Sequence, residues 1–304
     1  MMKSECGNSH FGEALQYLAL GPVETECRML KKAVDGLGSN KIMMYSILCG
    51  RSNQDMELLK KAYYKEYTDD LVSRMSSEVG GDMKKILLSA VQVSRVVIVV
   101  IATHLVANIN MSHSSITMKF KCISSLNSSF HSIPSLLQAA EEEFDPDFHT
   151  EDKAREDAEI LYKAGQGRWG TDEAGMAKIV VLSPPKYLKI VNSVYADMYG
   201  YTLFKAFEEE MSSTAAEAAL FTLGMKLKPF DTIAKLIKKA CAGFGTDELL
   251  LTCCLIRYQD LLGHVEVAHE ELFEKSIHKR VKDETRGNYE KLLLVLLDYA
   301  VPEE

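Results

Sequence analysis

The sequence lacks both a cysteine framework and a secretory signal. It has seven cysteines, an odd number, and no Cys-x-x-Cys pair. The stretch from Met1 to Gly21 has no basic start followed by an apolar core, so no signal peptide is predicted. Both absences favour a reducing, cytoplasmic location. Cys253 and Cys254 are adjacent in an apolar helical run, where core packing is favoured over a redox pair.

An excess of positive charge is also missing. The chain has 35 Lys and Arg residues against 43 Asp and Glu residues, and its formal net charge is −8. The long-range field of an acidic protein repels nucleic acid and anionic membranes. No nucleic-acid partner is therefore predicted, and contact with a phosphate surface requires a bridging cation.

Enzyme motifs are absent as well. The chain has no P-loop, no Gly-x-Ser-x-Gly and no His-Glu-x-x-His motif. His264, His269 and His278 lie on predicted helices without the spacing of metal ligands. The sequence therefore predicts no catalytic residues and a protein that is not an enzyme. Activity that survives a chelator and disappears on mutation of one side chain would favour the enzyme alternative.

Acidic residues are absent from one internal stretch, since no Asp or Glu occurs between Met83 and Ala140. Within it, the apolar run 96–106 is too short for the roughly twenty residues that a membrane-spanning helix needs. The run 112–135 is crowded with serines. Three interpretations stay open: a degenerate repeat that still packs, a foreign segment from an intron or an altered splice form, and a serine-rich functional insert.

The chain does contain one pattern three times: a short glycine loop is followed, about forty residues later, by an acidic residue at a predicted loop. The loops are Val34-Asp-Gly-Leu-Gly-Ser39, Gly165-Gln-Gly-Arg-Trp-Gly-Thr171 and Cys241-Ala-Gly-Phe-Gly-Thr246. The glycine–acid pairs are Gly38 with Glu78, Gly170 with Glu210 and Gly245 with Glu284, at separations of 40, 40 and 39 residues. A constant spacing indicates a repeated structural unit.

Hydrophobic periodicity predicts helices in these units and no convincing strand. Five helices fit between about residues 22 and 91, with Asn40 as an N-cap and Gly80-Gly81 as a break. A chain of 304 residues that is 47% hydrophobic is long enough for several stacked units. The predicted division is an N-terminal tail at 1–21, unit one at 22–91, a degenerate or shortened unit two with a linker at 92–150, unit three at 151–228 and unit four at 229–304.

The spacing of the loop glycines leaves too few residues for a full second unit. Gly38 and Gly170 are 132 residues apart, whereas Gly170 and Gly245 are 75 apart. Two full periods need about 150 residues, so a second unit fits only when it is shortened by about twenty.

The loop composition suits a hard cation. Glycine tolerates unusual backbone angles, so a Gly-x-Gly turn can direct its carbonyls to one point. Carbonyl and carboxylate oxygens are the ligands of Ca²⁺, which accepts six to eight of them in loose geometry. With one carboxylate the ion stays partly hydrated, and an external phosphate can complete its shell. The competing interpretation is an ordinary set of helix caps; three loops with matched acids favour the cation site.

The chain resembles the annexin family. The motifs that carry the resemblance are the five-helix unit, the glycine loop with Thr-Asp-Glu, Leu48-Cys-Gly-Arg-Ser-Asn-Gln54, Asp157-Ala-Glu-Ile-Leu-Tyr-Lys-Ala-Gly165 and Gly287-Asn-Tyr289 with its leucine run. The resemblance covers units one, three and four, roughly 210 residues, and fails over about 93–140. It implies an all-α, annexin-like array of five-helix repeats with a degenerate or truncated second repeat.

The resemblance also implies which residues bind calcium. The loop carbonyls are those of Val34, Gly36 and Gly38 in unit one, Gly165, Arg168 and Gly170 in unit three, and Cys241, Gly243 and Gly245 in unit four. The carboxylates are those of Glu78, Glu210 and Glu284. Unit one departs from the pattern because Lys41 stands where the other two loops have the Glu of Thr-Asp-Glu. Unit four is one residue short, so Asp283 is an alternative to Glu284.

Annexins bind acidic phospholipids through such calcium ions, so the resemblance implies calcium-dependent membrane binding. Trp169 at a loop tip is then a membrane anchor, and Arg168 a contact to lipid phosphate. We expect a cytoplasmic protein that becomes peripheral to membranes when calcium rises. The alternative is a calcium-independent helical scaffold that binds cytoskeletal or other proteins.

Overall fold

A computed structural model describes residues 9–35, 40–91, 144–165, 173–210, 214–243 and 245–300. These residues form helices and no strand. The α-helices are α1 His10–Leu18, α2 Pro22–Asp35, α3 Lys41–Leu48, α4 Asn53–Tyr67, α5 Leu71–Glu78, α6 Gly81–Val91, α7 Glu151–Gly165, α8 Glu173–Leu182, α9 Pro185–Tyr199, α10 Leu203–Glu210, α11 Thr214–Leu227, α12 Pro229–Ala240, α13 Glu248–Arg257, α14 Leu262–Phe273, α15 Ile277–Glu284 and α16 Gly287–Tyr299.

The helices fall into three units of the same plan. Unit one contains α2 to α6, unit three α7 to α11 and unit four α12 to α16. In each unit the first helix packs along the third. The predicted all-α array of five-helix repeats is confirmed. The segment assigned to a degenerate second repeat falls mainly on 92–143, outside the described residues.

The third helix of every unit ends in the same way. Thr68, Gly200 and Glu274 follow these helices with φ angles of 53°, 81° and 51°. A left-handed residue stops a helix and turns the chain. The fourth helix begins three residues after each of them and is eight residues long. The repeated geometry therefore brings the carboxyl end of each fourth helix, where the predicted acids lie, to the same place in each unit.

The second helices of units one and four begin at side-chain caps. Asn40 Oδ1 accepts a hydrogen bond of 3.0 Å from Met43 N, and Asp247 Oδ1 accepts one of 2.9 Å from Leu250 N. Each cap satisfies one backbone donor that the first turn leaves free. The predicted N-cap at Asn40 is confirmed, and Asp247 has the same role in unit four.

The units meet through particular helices. In unit one, α3 and α6 pack against α8 and α11 of unit three. On its other side unit one meets α13 of unit four, where Tyr258 Oη donates to the backbone oxygen of Ser46 at 3.1 Å. Glu26 there forms ion pairs with both Arg51 and Arg257. Unit one therefore lies between units three and four.

Helix α1 precedes unit one and packs on α13 and α16 of unit four. Ala14 and Tyr17 are buried there, and the Thr25 hydroxyl donates to Tyr17 O at 2.7 Å. Part of the segment predicted as an N-terminal tail is therefore an ordered helix that ties the start of the chain to its last unit.

Two further expectations concern the cysteines and membrane spans. Cys253 and Cys254 are each 1% exposed and unbonded, as core packing requires. Burial raises the pKa of Cys253 to about 12, so this thiol stays protonated. In the part of the chain that is described, no helix is both long and apolar enough to cross a membrane; the run 96–106 lies outside that part.

Candidate calcium sites

The glycine loop of unit four is closed by a backbone hydrogen bond. Asp247 N donates to Ala240 O at 2.8 Å, and in unit one Asn40 N donates to Ala33 O at the same distance. Within the unit four loop, Gly243 and Gly245 have φ angles of 106° and 114°. Residues with a side chain rarely adopt these angles. Glycine is therefore required at both positions.

The acid of unit four lies beside this loop. The Thr246 hydroxyl lies 3.5 Å from Glu284 Oε2 and 3.2 Å from Glu284 O. Thr246 therefore links the loop to the end of α15. The alternative acid, Asp283, is occupied elsewhere, because its Oδ2 forms an ion pair of 2.7 Å with Lys275 Nζ. This geometry favours Glu284 over Asp283.

Cys241 begins the loop and is 8% exposed. Burial, and then the negative charge of Glu284, raises the pKa of the Cys241 thiol to about 11. The thiol therefore stays protonated, and the candidate ligand at this position is the backbone carbonyl.

The donors present fit calcium. No group of three or more His, Cys, Asp or Glu side chains in the described ranges is placed to hold a metal. The predicted ligands at the unit four loop are backbone carbonyls with the Glu284 carboxylate. This all-oxygen set suits a hard cation such as Ca²⁺ and lacks the Cys and His ligands typical of Zn²⁺ sites.

In unit one the Glu78 carboxylate already forms an ion pair. Arg74 Nη2 lies 3.1 Å from Glu78 Oε1 and 3.0 Å from Asp35 Oδ1. A guanidinium thus lies between the end of α2 and the end of α5. Lys41 is the first residue of α3.

Units three and four differ at the position equivalent to Arg74. In unit three this position is Ala206, which carries no charge. In unit four it is Arg280, whose Nε donates to His269 Nε2 at 2.8 Å. Burial lowers the pKa of His269, which favours the neutral imidazole that accepts this hydrogen bond. Arg280 is thus held by His269, and no ion pair with Glu284 is formed.

Replacing Arg74 with Ala is expected to strengthen calcium binding by unit one about threefold, since a partly exposed ion pair changes free energies by up to about 1 kcal/mol. Calorimetric titration with calcium measures the effect in a chain that also carries Glu210→Lys and Glu284→Lys. Arg155→Ala is the matched control, because Arg155 forms an exposed ion pair with Glu151 on α7. Unchanged or weaker binding with Arg74→Ala contradicts the competition.

Sequence patterns did not identify Arg74, Thr246 or Arg280 as residues with contacts at or next to the candidate calcium sites. Arg74 precedes Glu78 by four residues on one helix, a spacing that predicts an ion pair. The sequence does not show that Arg280 has a different partner from Arg74, since that partner, His269, lies on another helix.

Several predicted residues lie outside the described part of the chain. They are Gly36, Gly38, Arg168, Trp169 and Gly170. Val34 and Gly165 lie at the ends of α2 and α7, just before their loops, and Glu210 is the last residue of α10. The equivalent places of Glu78, Glu210 and Glu284 at helix ends agree with the predicted spacing. The predicted ligand sets stay predictions.

The helix caps that follow the loops of units one and four are neighbours. Asn40 Nδ2 donates to Asp247 Oδ2 at 3.3 Å, so the caps that follow the two loops are hydrogen-bonded to each other.

Comparison with known proteins identifies the family of this repeated helical fold. The family model for annexins matches residues 25–90, 156–221 and 232–296, which is more than half of the chain. The chain therefore belongs to the annexin family. Annexins as a class bind phospholipids in a calcium-dependent manner.

Individual relatives agree with this assignment. Annexin A13 from Homo sapiens is 28% identical over 298 residues, covering 98% of this chain and 79% of the relative. Annexin A3 from Homo sapiens is 25% identical, with 94% and 74% covered. Both alignments extend over nearly the whole of this chain.

Solved structures show the same fold. Annexin III superposes with a TM-score of 0.73 at 24% identity, covering 97% of this chain and 77% of that one. Calcium-bound annexin (Sm)1 gives a TM-score of 0.68 at 24% identity, with 97% and 75% covered. At these identities the likeness establishes the fold alone.

Proposed function

We propose that this annexin binds acidic phospholipid membranes through calcium ions held by glycine-loop carbonyls and one downstream carboxylate per unit. The observation that carries the proposal is the unit four loop, in which Gly243 and Gly245 have positive φ angles and Glu284 lies beside Thr246. The function is one of binding rather than catalysis.

The charge of the chain supports a calcium bridge. With a net charge of −8, the protein and an anionic membrane repel each other at long range. One carboxylate leaves a bound Ca²⁺ with positive charge and open coordination positions. Lipid phosphate or carboxylate then completes the shell. Binding therefore requires both calcium and acidic lipid, and the protein leaves the membrane for the cytoplasm when calcium falls.

The units are proposed to differ in strength. In unit one, Glu78 is paired with Arg74, which makes that site weaker. In unit three, Ala206 leaves no competing charge at the equivalent position. Within the unit three loop, Trp169 is proposed to insert at the headgroup boundary and Arg168 to contact lipid phosphate. We also propose the unit boundaries at 22–91, 151–228 and 229–304.

The alternative is a helical scaffold that binds cytoskeletal or other proteins without calcium. In unit one, the ion pair between Arg74 and Glu78 favours this scaffold, because Arg74 supplies the positive charge that a metal ion would otherwise supply to Glu78. The open geometry of the unit four loop favours the calcium bridge. A membrane-bound protein can also hold partners, so the two functions are compatible.

Co-sedimentation with phosphatidylserine vesicles tests the proposal, with Trp169 fluorescence followed in parallel. Trp169 is the single tryptophan of the chain, so its signal reports on unit three alone. We expect pelleting and a blue shift in calcium, and neither in chelator or with neutral phosphatidylcholine vesicles. Absence of pelleting in millimolar calcium overturns the proposal and moves the scaffold function to first place.

A further inference from the structure

The carboxyl end of α15 carries Glu284 and has all of its last carbonyls bound. A helix leaves its last four backbone carbonyls without partners inside the helix. In α15, which ends at Glu284, these are the carbonyls of residues 281–284. Each accepts a hydrogen bond from a residue outside the helix, namely Thr246, Thr285 or Arg286. The end of this helix is therefore held by its surroundings.

Two threonines hold the first and the last of these carbonyls. Val281 O accepts a hydrogen bond of 2.7 Å from the Thr285 hydroxyl and one of 2.9 Å from Thr285 N. Glu284 O accepts one of 3.2 Å from the hydroxyl of Thr246, which belongs to the glycine loop. The helix end and the loop are therefore connected through the backbone of the candidate acid.

Arg286 holds the remaining carbonyls through a single nitrogen. Its Nη1 donates to Lys282 O at 2.8 Å and to Asp283 O at 3.0 Å. The same nitrogen donates to Thr285 O at 2.6 Å. These carbonyls lie on both sides of Glu284 in sequence, and the guanidinium that binds them is a rigid plane. Its charge also suits the negative end of the helix dipole. Arg286 thus restrains the backbone that carries Glu284.

Only unit four has a cation at this position. Two residues after the acid, unit one has Gly80 and unit three has Ser212. In unit one an arginine contacts the acid directly, since Arg74 forms an ion pair with the Glu78 carboxylate. Arg286 instead binds backbone oxygens, and in the described ranges no ion pair joins it to the acid of its own unit. It therefore restrains the acid without pairing with its carboxylate.

We infer that Arg286 is a positioning residue for the unit four calcium site, an inference that rests on the function proposed above. By holding the carbonyls that flank Glu284, it keeps the carboxylate beside Thr246 before the ion binds. A ligand that is ordered in advance loses less conformational entropy on binding, so the affinity for calcium is higher. The charge of Arg286 acts in the opposite direction, since a cation repels Ca²⁺.

Calorimetric titration with calcium separates these two effects by their sign. The parent chain carries Glu78→Gln and Glu210→Gln, so that unit four is the candidate site whose acid remains. Adding Arg286→Ala is expected to weaken calcium binding about fivefold, because the backbone around Glu284 loses three hydrogen bonds. Arg286→Lys is expected to restore most of the affinity, since an ammonium group also donates to carbonyls.

Lys282→Ala is the matched control. Lys282 is an exposed cation two residues before Glu284, and it contributes only its backbone carbonyl to the contact with Arg286. Its substitution removes the same charge and is expected to leave calcium binding unchanged or slightly stronger. Equal affinities of the Arg286→Ala and Lys282→Ala chains overturn the inference alone. A parent chain that binds no calcium overturns the proposed function at this unit, and the inference with it.

Hydrogen exchange in the metal-free protein tests the restraint itself. In the full chain without other substitutions, Arg286→Ala is expected to speed exchange of the Thr285 amide about threefold, because this amide closes the end of α15 by donating to Val281 O. Lys282→Ala is expected to leave this rate unchanged. Equal exchange rates in the two variants contradict the restraint. Circular dichroism establishes that both variants are folded.

Discussion

A chain with both Glu210→Lys and Glu284→Lys is expected to lose calcium-dependent binding to phosphatidylserine vesicles by more than about a hundredfold, or about 2.7 kcal/mol. Each substitution replaces the one carboxylate of a site with a cation that repels Ca²⁺. Unit one alone remains, and its Glu78 is paired with Arg74. Co-sedimentation over a range of calcium concentrations measures the loss.

The control for this variant is Glu159→Lys with Glu270→Lys, which makes the same change in net charge at exposed positions on α7 and α14. Because it adds positive charge away from the loops, it is expected to retain calcium-dependent binding. The calcium bridge is wrong if the double reversal at Glu210 and Glu284 leaves vesicle binding unchanged.

Glu26→Ala is expected to destabilise the protein by about 3–5 kcal/mol, the cost of removing one partner from a buried ion pair. Glu26 is 9% exposed, and its Oε1 forms ion pairs with Arg51 and Arg257. Burial, and then the charge of Arg257, lowers the pKa of Arg51, which indicates that the two guanidiniums repel each other. Without the carboxylate they face each other inside the protein.

Urea unfolding followed by circular dichroism measures this change. Glu24→Ala is the control, because Glu24 is an exposed acid on the same helix and is expected to cost less than about 1 kcal/mol. Similar stabilities of the two variants would show that the cluster does not join units one and four.

The sequence determined the repeated plan of this protein. Periodicity and turn residues predicted five helices per unit, because an amphipathic helix and its caps depend on residues within one or two turns. The side-chain cap at Asn40 was predictable for the same reason. Glu78, predicted at a loop, is instead the last residue of α5. The glycine loops were recognisable since positive φ angles restrict the residue type at positions such as Gly245.

Only the tertiary structure decided which charges are available at the sites. Arg74 and Arg280 occupy equivalent positions in fourth helices, yet Arg74 pairs with Glu78 and Arg280 with His269. The partner depends on a neighbouring helix, which local sequence does not specify. The choice between Asp283 and Glu284 depends in the same way on Lys275, whose ion pair with Asp283 leaves Glu284 beside the loop.

The pairing of the units also came from the tertiary structure. The sequence ordered the units along the chain, but it did not predict that α3 and α6 pack on unit three, nor that α1 packs on unit four. These contacts join residues far apart in sequence, such as Tyr45 and Glu217. These contacts are set by the shapes of whole helix faces, whereas each helix or loop is set by residues close to it in sequence. The sequence alone therefore determined the helices and loops but not the packing of the units.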